Sequence, residues 1–442
     1  MNSGTDVIAK INIFVREQNV GTITFSKIDE CLLEYDKMWK EKGFPLSPAL
    51  PLSGQFAVDA EINFLKNLFP EGDALDELLK SKRISKTNVA SILQTIGHDT
   101  AGALVFSHEK PDLNYSNTTQ VTQAELITRL DSYNLRDMLF WHGKYRLSIA
   151  GVQNKLNVLI DRTGGMFLAD GMLSSTHILK FPIVNSPLIA INEYFCMTLA
   201  KMVGLPVANV RLEKMGDHYV LIVTRFDRIY VKKRIKKAHT VDGCQVLNLP
   251  PAYKYEHNMG AGKDVEHIRD GAAFKGLFSF AKQCDIPGRT KLMILDWTIF
   301  NLIIGNSDAH GKNISFFVTR NSFLLAPFYD LVSVIFEALS IPKLETELAM
   351  AIGDNFNINK VTAYDLLCMC EENNIGFKLM KDRMYWMIHQ TFDYLNTIDQ
   401  RNMDFDKTVT NTIIQMKELI IERCKLIVDQ LDEFDNVRES LF

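Results

Sequence analysis

Nowhere in the 442 residues is there an uninterrupted apolar run of about 18 residues, the length a membrane-crossing helix needs. The opening MNSGTDVIAK also lacks a basic region followed by an apolar core. These absences predict a cytoplasmic chain with no membrane partner. An excess of positive charge is missing too: the formal net charge is -4, which argues against a protein that grips nucleic acid mainly through its own surface. Paired cysteines are absent as well. The seven, Cys31, Cys196, Cys244, Cys284, Cys368, Cys370 and Cys424, are odd in number and scattered without a CxxC pair. That pattern fits a reduced compartment, and the single residue between Cys368 and Cys370 suits helix positions better than zinc ligation.

What is present is ordinary globular material, 47% hydrophobic and 23% charged. The length exceeds what one compact core organises, so two or three packed units are expected. IAKINIFV and VGTITF, between Ile8 and Phe25, read as a hairpin turning around Asn19 and Gly21. PLSPALPLS and a helical stretch bearing Phe64, Leu65, Leu68, Leu75 and Leu78 follow, closing a first unit near residue 110. The polar, turn-rich HEKPDLNYSNTTQ then reads as a linker. The predicted domains are 1–110, 111–250 and 251–442. The second opens with strands, a hairpin at Arg162-Thr163-Gly164-Gly165, the strand HILKFP and the helix INEYFCMTLAKMVGL, stopped by Gly204 and Pro206. The third is largely helical, interrupted by a β-rich island from Asn313 to Asp330.

The densest chemistry lies in IGNSDAHGKNISFF, after an apolar helix carrying Leu292, Leu295, Ile299, Leu302 and Ile303. Asp308 and Asn313 are five apart, the spacing with which a kinase catalytic loop places a base and a magnesium ligand. Such a spacing is common by chance, because Asp and Asn both favour turns. NISFFVT and SFLLAPFYD alternate as a hairpin, which returns Asp330 beside Asn313. Two oxygen donors suit Mg2+, which keeps waters and phosphate oxygens around it. Upstream, SIAGVQNK joins two strands through a Gly-bearing turn whose small residues let N–H groups approach an anion, although it is neither GxGxxG nor a Walker motif. Lys180 alternates with apolar neighbours on a strand and needs a partner; Glu193 on the next helix is the expected one. Strand YVLIVTRFDR ends where apolar gives way to charged residues. The run Arg228, Lys232, Lys233, Arg234, Lys236 and Lys237 reads as a solvated hairpin tip.

Taken in order, SIAGVQNKL, THILKFP, NEYFCMTLAKMVGLPV, TRFDR, SDAHGKN and PFYDLVS resemble the motifs of the HipA family of bacterial toxin kinases. The opening unit is similar to that family's N-terminal subdomain through VGTITF, PLSPALPLS, NFLKNLFPEG and IGHDTAGALVF. The resemblance implies an α+β chain with a two-lobed protein-kinase-like fold, an N-terminal mixed α/β subdomain and a helical C-terminal lobe. It implies a serine/threonine protein kinase using ATP and Mg2+. Asp308 is then the base, and Asn313 and Asp330 hold metal. Nucleotide is bound by Ala150, Gly151, Val152, Gln153, Asn154, Lys155, Lys180, Thr224, Arg225, Phe226, Asp227, His310, Lys312 and Tyr329. Thr224 and Asn154 each stand where family members often have Glu; neither change removes a phosphate or metal ligand. Ser148 is implied as an autophosphorylation site. The implied partners are a helix-turn-helix antitoxin of the HipB type, DNA only through that antitoxin, and a translation-related substrate such as an aminoacyl-tRNA synthetase. The alternatives are a catalytically weak, antitoxin-binding co-repressor and a small-molecule kinase.

Overall fold

The computed structural model describes residues 7–97, 99–112, 114–132, 134–146, 154–171, 173–231, 234–260, 262, 264, 265, 267–398 and 405–441. The chain is α+β and divides into two compact units. One comprises Met1–Ile183, Glu213–Pro251 and Ser315–Ala326; the other comprises Val184–Leu212, Ala252–Ile314 and Pro327–Phe442.

The first unit begins with an antiparallel sheet in the order Cys31–Tyr35, Gln18–Phe25, Ala9–Val15, Val105–Ser107. Its first hairpin turns at Arg16 and Glu17, not at Asn19 and Gly21, which lie inside the second strand. Gly21 answers a different need. A Cβ there would sit 2.3 Å from the Glu34 carbonyl oxygen, so glycine permits the close approach of the third strand. The unit also holds five consecutive strands of a six-stranded sheet, in the order His218–Thr224, His177–Lys180, Lys155–Ile160, Met166–Gly171, Ser116–Val121, all antiparallel. Leu156, Val158, Leu179, Val220 and Ile222 bury one face of it with Trp141. The hairpin expected at Gly164 is present, closed by Asp161 N–H to the Gly165 carbonyl at 3.0 Å.

A buried ion cluster ties the end of strand His218–Thr224 to the 99–102 segment. The Arg225 guanidinium donates to Asp227 through Nε (3.0 Å) and Nη2 (2.9 Å), and Arg228 donates to Asp227 at 2.7 Å and to Asp99 at 2.9 Å. Gly102 N–H adds a bond to Asp227 at 2.8 Å. Burial alone would raise the Asp227 carboxyl pKa; Arg225 and Arg228 outweigh burial and hold it well below the usual range. Lys237 lies 3.8 Å from Asp99, and burial pushes its ammonium down to about 8. Two members of the expected solvated basic run, Arg228 and Lys237, thus belong to a buried network, while Lys232 and Lys233 lie outside the described residues. Nearby, His239 Nε2 bonds to the Leu46 carbonyl at 2.8 Å, and its ring stacks on Phe44 with centroids 5.1 Å apart.

The second unit is built on helices Ile189–Met202, Pro287–Ile304, Ala363–Asn373, Phe377–Thr397 and Lys407–Leu441, the last packing on the other four. Helix Pro287–Ile304 starts with proline, whose missing N–H costs nothing at a helix N-terminus. From Ile294 to Ile304 every residue is buried, the mark of a helix enclosed on all sides. Its Asp296 is matched by Arg383, through two bonds of 2.8 and 2.9 Å.

Two outcomes are expected. Asp227→Asn leaves Arg225 and Arg228 buried without their shared carboxylate, and unfolding in urea should show a loss of about 3–5 kcal/mol; a wild-type midpoint would refute this role. The second concerns pH. Burial lowers the His239 pKa to about 4 from an unfolded value near 6.5. The neutral ring therefore contributes stability that is fully present above pH 6.5 and is lost as pH falls through about 4, amounting to about 3 kcal/mol. Melting temperature measured from pH 7 to 4 should fall less steeply in His239→Gln than in wild type.

Candidate active site

The loop that carries Asp308 is set by how the preceding helix ends. Gly305 adopts φ +71 as the left-handed cap, and Asn306 N–H returns to the Asn301 carbonyl at 2.8 Å. Asn306 also pairs its side chain with that of Asn301 at 2.8 Å and accepts Asp308 N–H at 3.2 Å. Asn313 Nδ2 donates to the Asp308 carbonyl at 3.0 Å, closing the loop across five residues. The amide oxygen of Asn313 is thereby the atom left for a cation. Within residues 306–313 all side chains are buried except that of Asp308. The fold thus exposes one carboxylate from an otherwise buried loop, as a general base needs.

Asp330 is fixed from both sides. Before it, Phe328 exchanges main-chain bonds with Pro206 and Ala208 at 2.8 and 2.9 Å and stacks on Trp297 with centroids 6.0 Å apart. After it, Asn192 accepts Ser333 N–H and donates to the Ser333 carbonyl, each at 2.9 Å. Asp330 itself takes φ +54, a left-handed conformation that costs a non-glycine residue roughly 1–2 kcal/mol. Tyr329 Oη donates to the Lys312 carbonyl at 2.7 Å, joining the segment to the catalytic loop. His310 (7% exposed) and Lys312 (6%) are buried in the same loop. The expected hairpin is present: Ser315–Val318 pairs antiparallel with Phe323–Leu325.

Among the described residues, no three His, Cys, Asp or Glu side chains gather into a metal cage. Asn313 and Asp330 are oxygen donors of the kind that suits a cation taking its remaining ligands from phosphate and water.

In the first unit, Lys180 is buried and stands directly opposite Lys155 in the strand pairing. The Asn154 carbonyl accepts Phe181 N–H at 3.0 Å, holding the start of strand Lys155–Ile160. Thr224 is half-buried at its strand end, and Phe226 packs edge-on against Phe317. The side chains of Arg225 and Asp227 point into the ion cluster, leaving Phe226 and the main chain as the rest of this segment. Ser148, Ala150, Gly151, Val152 and Gln153 lie outside the described residues. Glu193 is buried on helix Ile189–Met202 of the second unit.

Sequence reasoning missed Tyr255. It donates its hydroxyl hydrogen to Asp308 Oδ1 at 2.8 Å and sets its ring edge-on to His310, with centroids 5.2 Å apart. Its stretch PPAYKYEHN has no helical or strand period, and only folding reveals the contact. No helix among the described residues is long and apolar enough to cross a membrane.

Comparison with known proteins bears on the family. Residues 147–415 match the HipA-like C-terminal domain and residues 11–107 the HipA N-terminal domain. The serine/threonine-protein kinase toxin HipA of Shewanella oneidensis is 37% identical over 422 residues, covering 95% of this chain and 96% of that protein. The putative kinase Y4mE of Sinorhizobium fredii is 30% identical over 393 residues, 86% of this chain and 90% of its own. The solved structure of the Shewanella oneidensis MR-1 toxin–antitoxin system, HipA with HipB and operator DNA, contains a chain matching with a TM-score of 0.87 and 35% identity, over 97% of this chain and 99% of that one. With matches at both ends and along most of its length, this chain belongs to the HipA family.

Proposed function

We propose that the chain is an ATP-dependent serine/threonine protein kinase, the toxin of a toxin–antitoxin pair. The observation that carries this reading is the single exposed carboxylate of Asp308 in a loop closed by Asn313. Asp308 takes the proton of the acceptor hydroxyl as its oxygen attacks the γ-phosphorus. On the family likeness, Lys180 and Lys155 hold phosphate oxygens, and Asn154, Ala150, Gly151, Val152 and Gln153 are further nucleotide-binding residues. Asn313 and Asp330 would hold Mg2+, which when bound would neutralise charge on the transferring phosphoryl group. Thr224, Arg225, Phe226 and Asp227 form the adenine and ribose side, the two ionic residues acting by fixing the main chain. His310, Lys312 and Tyr329 keep the catalytic loop in shape. Little covalent chemistry is asked of the protein; positioning and charge do the work.

On the family likeness, the acceptor is a hydroxyl of a translation-related protein such as an aminoacyl-tRNA synthetase, and Ser148 of the chain itself. Phosphate at Ser148 adds nearly two negative charges beside the anion loop and disfavours ATP there. The partner is a small antitoxin of the HipB type, through which the chain reaches DNA.

Intact mass before and after incubation with ATP and Mg2+, with peptide mapping, tests the reading. Wild type should gain phosphate at Ser148, while Asp308→Ala should gain none yet still bind ATP. Asp330→Asn should weaken Mg2+-dependent ATP binding by roughly tenfold or more in titration calorimetry. Equal labelling of wild type and Asp308→Ala would remove Asp308 from its role. Absence of labelling with ATP bound would favour a non-catalytic, antitoxin-binding protein.

A further inference from the structure

Tyr255 is clamped on both sides. The carbonyl of Lys254 accepts Gly311 N–H at 2.9 Å, binding the segment to the catalytic loop. Glu256, next along, is buried; it takes the Arg269 Nε at 2.7 Å on Oε1 and Ala351 N–H at 2.8 Å on Oε2, and its main chain bonds Ala349 and Gly271. These anchors fix the main chain on either side of Tyr255. Its hydroxyl reaches Asp308 Oδ1 at 2.8 Å while its ring abuts His310.

We propose that Tyr255 is a positioning residue for phosphoryl transfer: it fixes the Asp308 carboxylate by donating to Oδ1, so that Oδ2 faces the acceptor hydroxyl. This inference rests on Asp308 being the base. In the step, the acceptor O–H bond breaks and its proton goes to Oδ2. The acceptor oxygen bonds to the γ-phosphorus, and the bond from that phosphorus to the β,γ-bridging oxygen breaks, ADP leaving with the electron pair. A base held by a third group is the arrangement that lets a proton transfer proceed without first ordering the base.

The test uses the full-length chain and Tyr255→Phe, which keeps the ring against His310 and removes one oxygen. Single-turnover phosphate incorporation from radiolabelled ATP is measured from pH 5 to 9, with ATP affinity measured separately. The expected result is a rate at saturating ATP reduced about tenfold with unchanged ATP affinity. Tyr255→Leu, lacking ring and hydroxyl, should be slowed at least as much in whatever fraction binds ATP. A wild-type or faster rate in Tyr255→Phe, or a loss of rate that follows weakened ATP binding, overturns the proposal. Phosphate found on Tyr255 overturns it as well, since the hydroxyl would then be an acceptor. If wild type itself binds ATP but incorporates no phosphate at any pH, the kinase reading fails and this inference with it; failure confined to the variant comparison spares that reading.

Discussion

The candidate active site depends on one turn, the left-handed exit of an enclosed apolar helix at Gly305. A Cβ at that position would lie 3.0 Å from both Arg423 Nε and Ile335 Cγ1. Arg423 is the reason the space is full. Its guanidinium, itself buried, donates to the Leu302 carbonyl through Nε (3.0 Å) and Nη2 (2.7 Å), and to Asn359 Oδ1 at 2.8 Å. Burial pushes its pKa down to about 10, still far above neutrality. A cation at a helix C-terminus meets the negative end of the macrodipole, which offsets part of its desolvation. The last turn of the helix is thus finished by a side chain from a distant helix, and the polar loop after it starts from a fixed point. Asn301, Asn306 and Asn313 then convert that fixed start into a fixed Asp308 through short side-chain bonds.

Each unit holds its own charged and polar residues in place. In the first, Lys180 faces Lys155 across paired strands. In the second, Asp308, Asn313 and Asp330 stand in segments held by bonds within that unit. The strain at Asp330 belongs to this picture: glycine would relieve its positive φ but would leave no carboxylate.

Much of this was legible in the sequence, and unequally so. The strands and the catalytic hairpin follow from alternation, and the end of helix Ile189–Met202 follows from Gly204, which takes φ +90. The loop was legible as spacing, because Asn306, Asp308 and Asn313 bond to one another within the loop itself. The first hairpin turn was misplaced because Gly21 looks like a turn residue but serves a neighbouring strand, and sequence does not show which of two reasons a glycine answers. Tyr255 was illegible for a related reason. Its partner is 53 positions away, and the segment bearing it has no period to place it.

The motif Arg225-Phe226-Asp227-Arg228 shows why residue type alone could not assign roles. Asp227 and Asp308 are the same side chain in equally polar sequence surroundings, yet their environments differ in kind. Asp227 is buried between two guanidinium groups that hold it ionised and leave it little capacity to accept a proton near neutral pH. Asp308 is exposed, with a phenol on one oxygen. A carboxylate stabilised from two sides by permanent cations resists protonation and serves to brace the main chain. Burial and the charge of the partners therefore separate an aspartate that braces the fold from one left open to solvent.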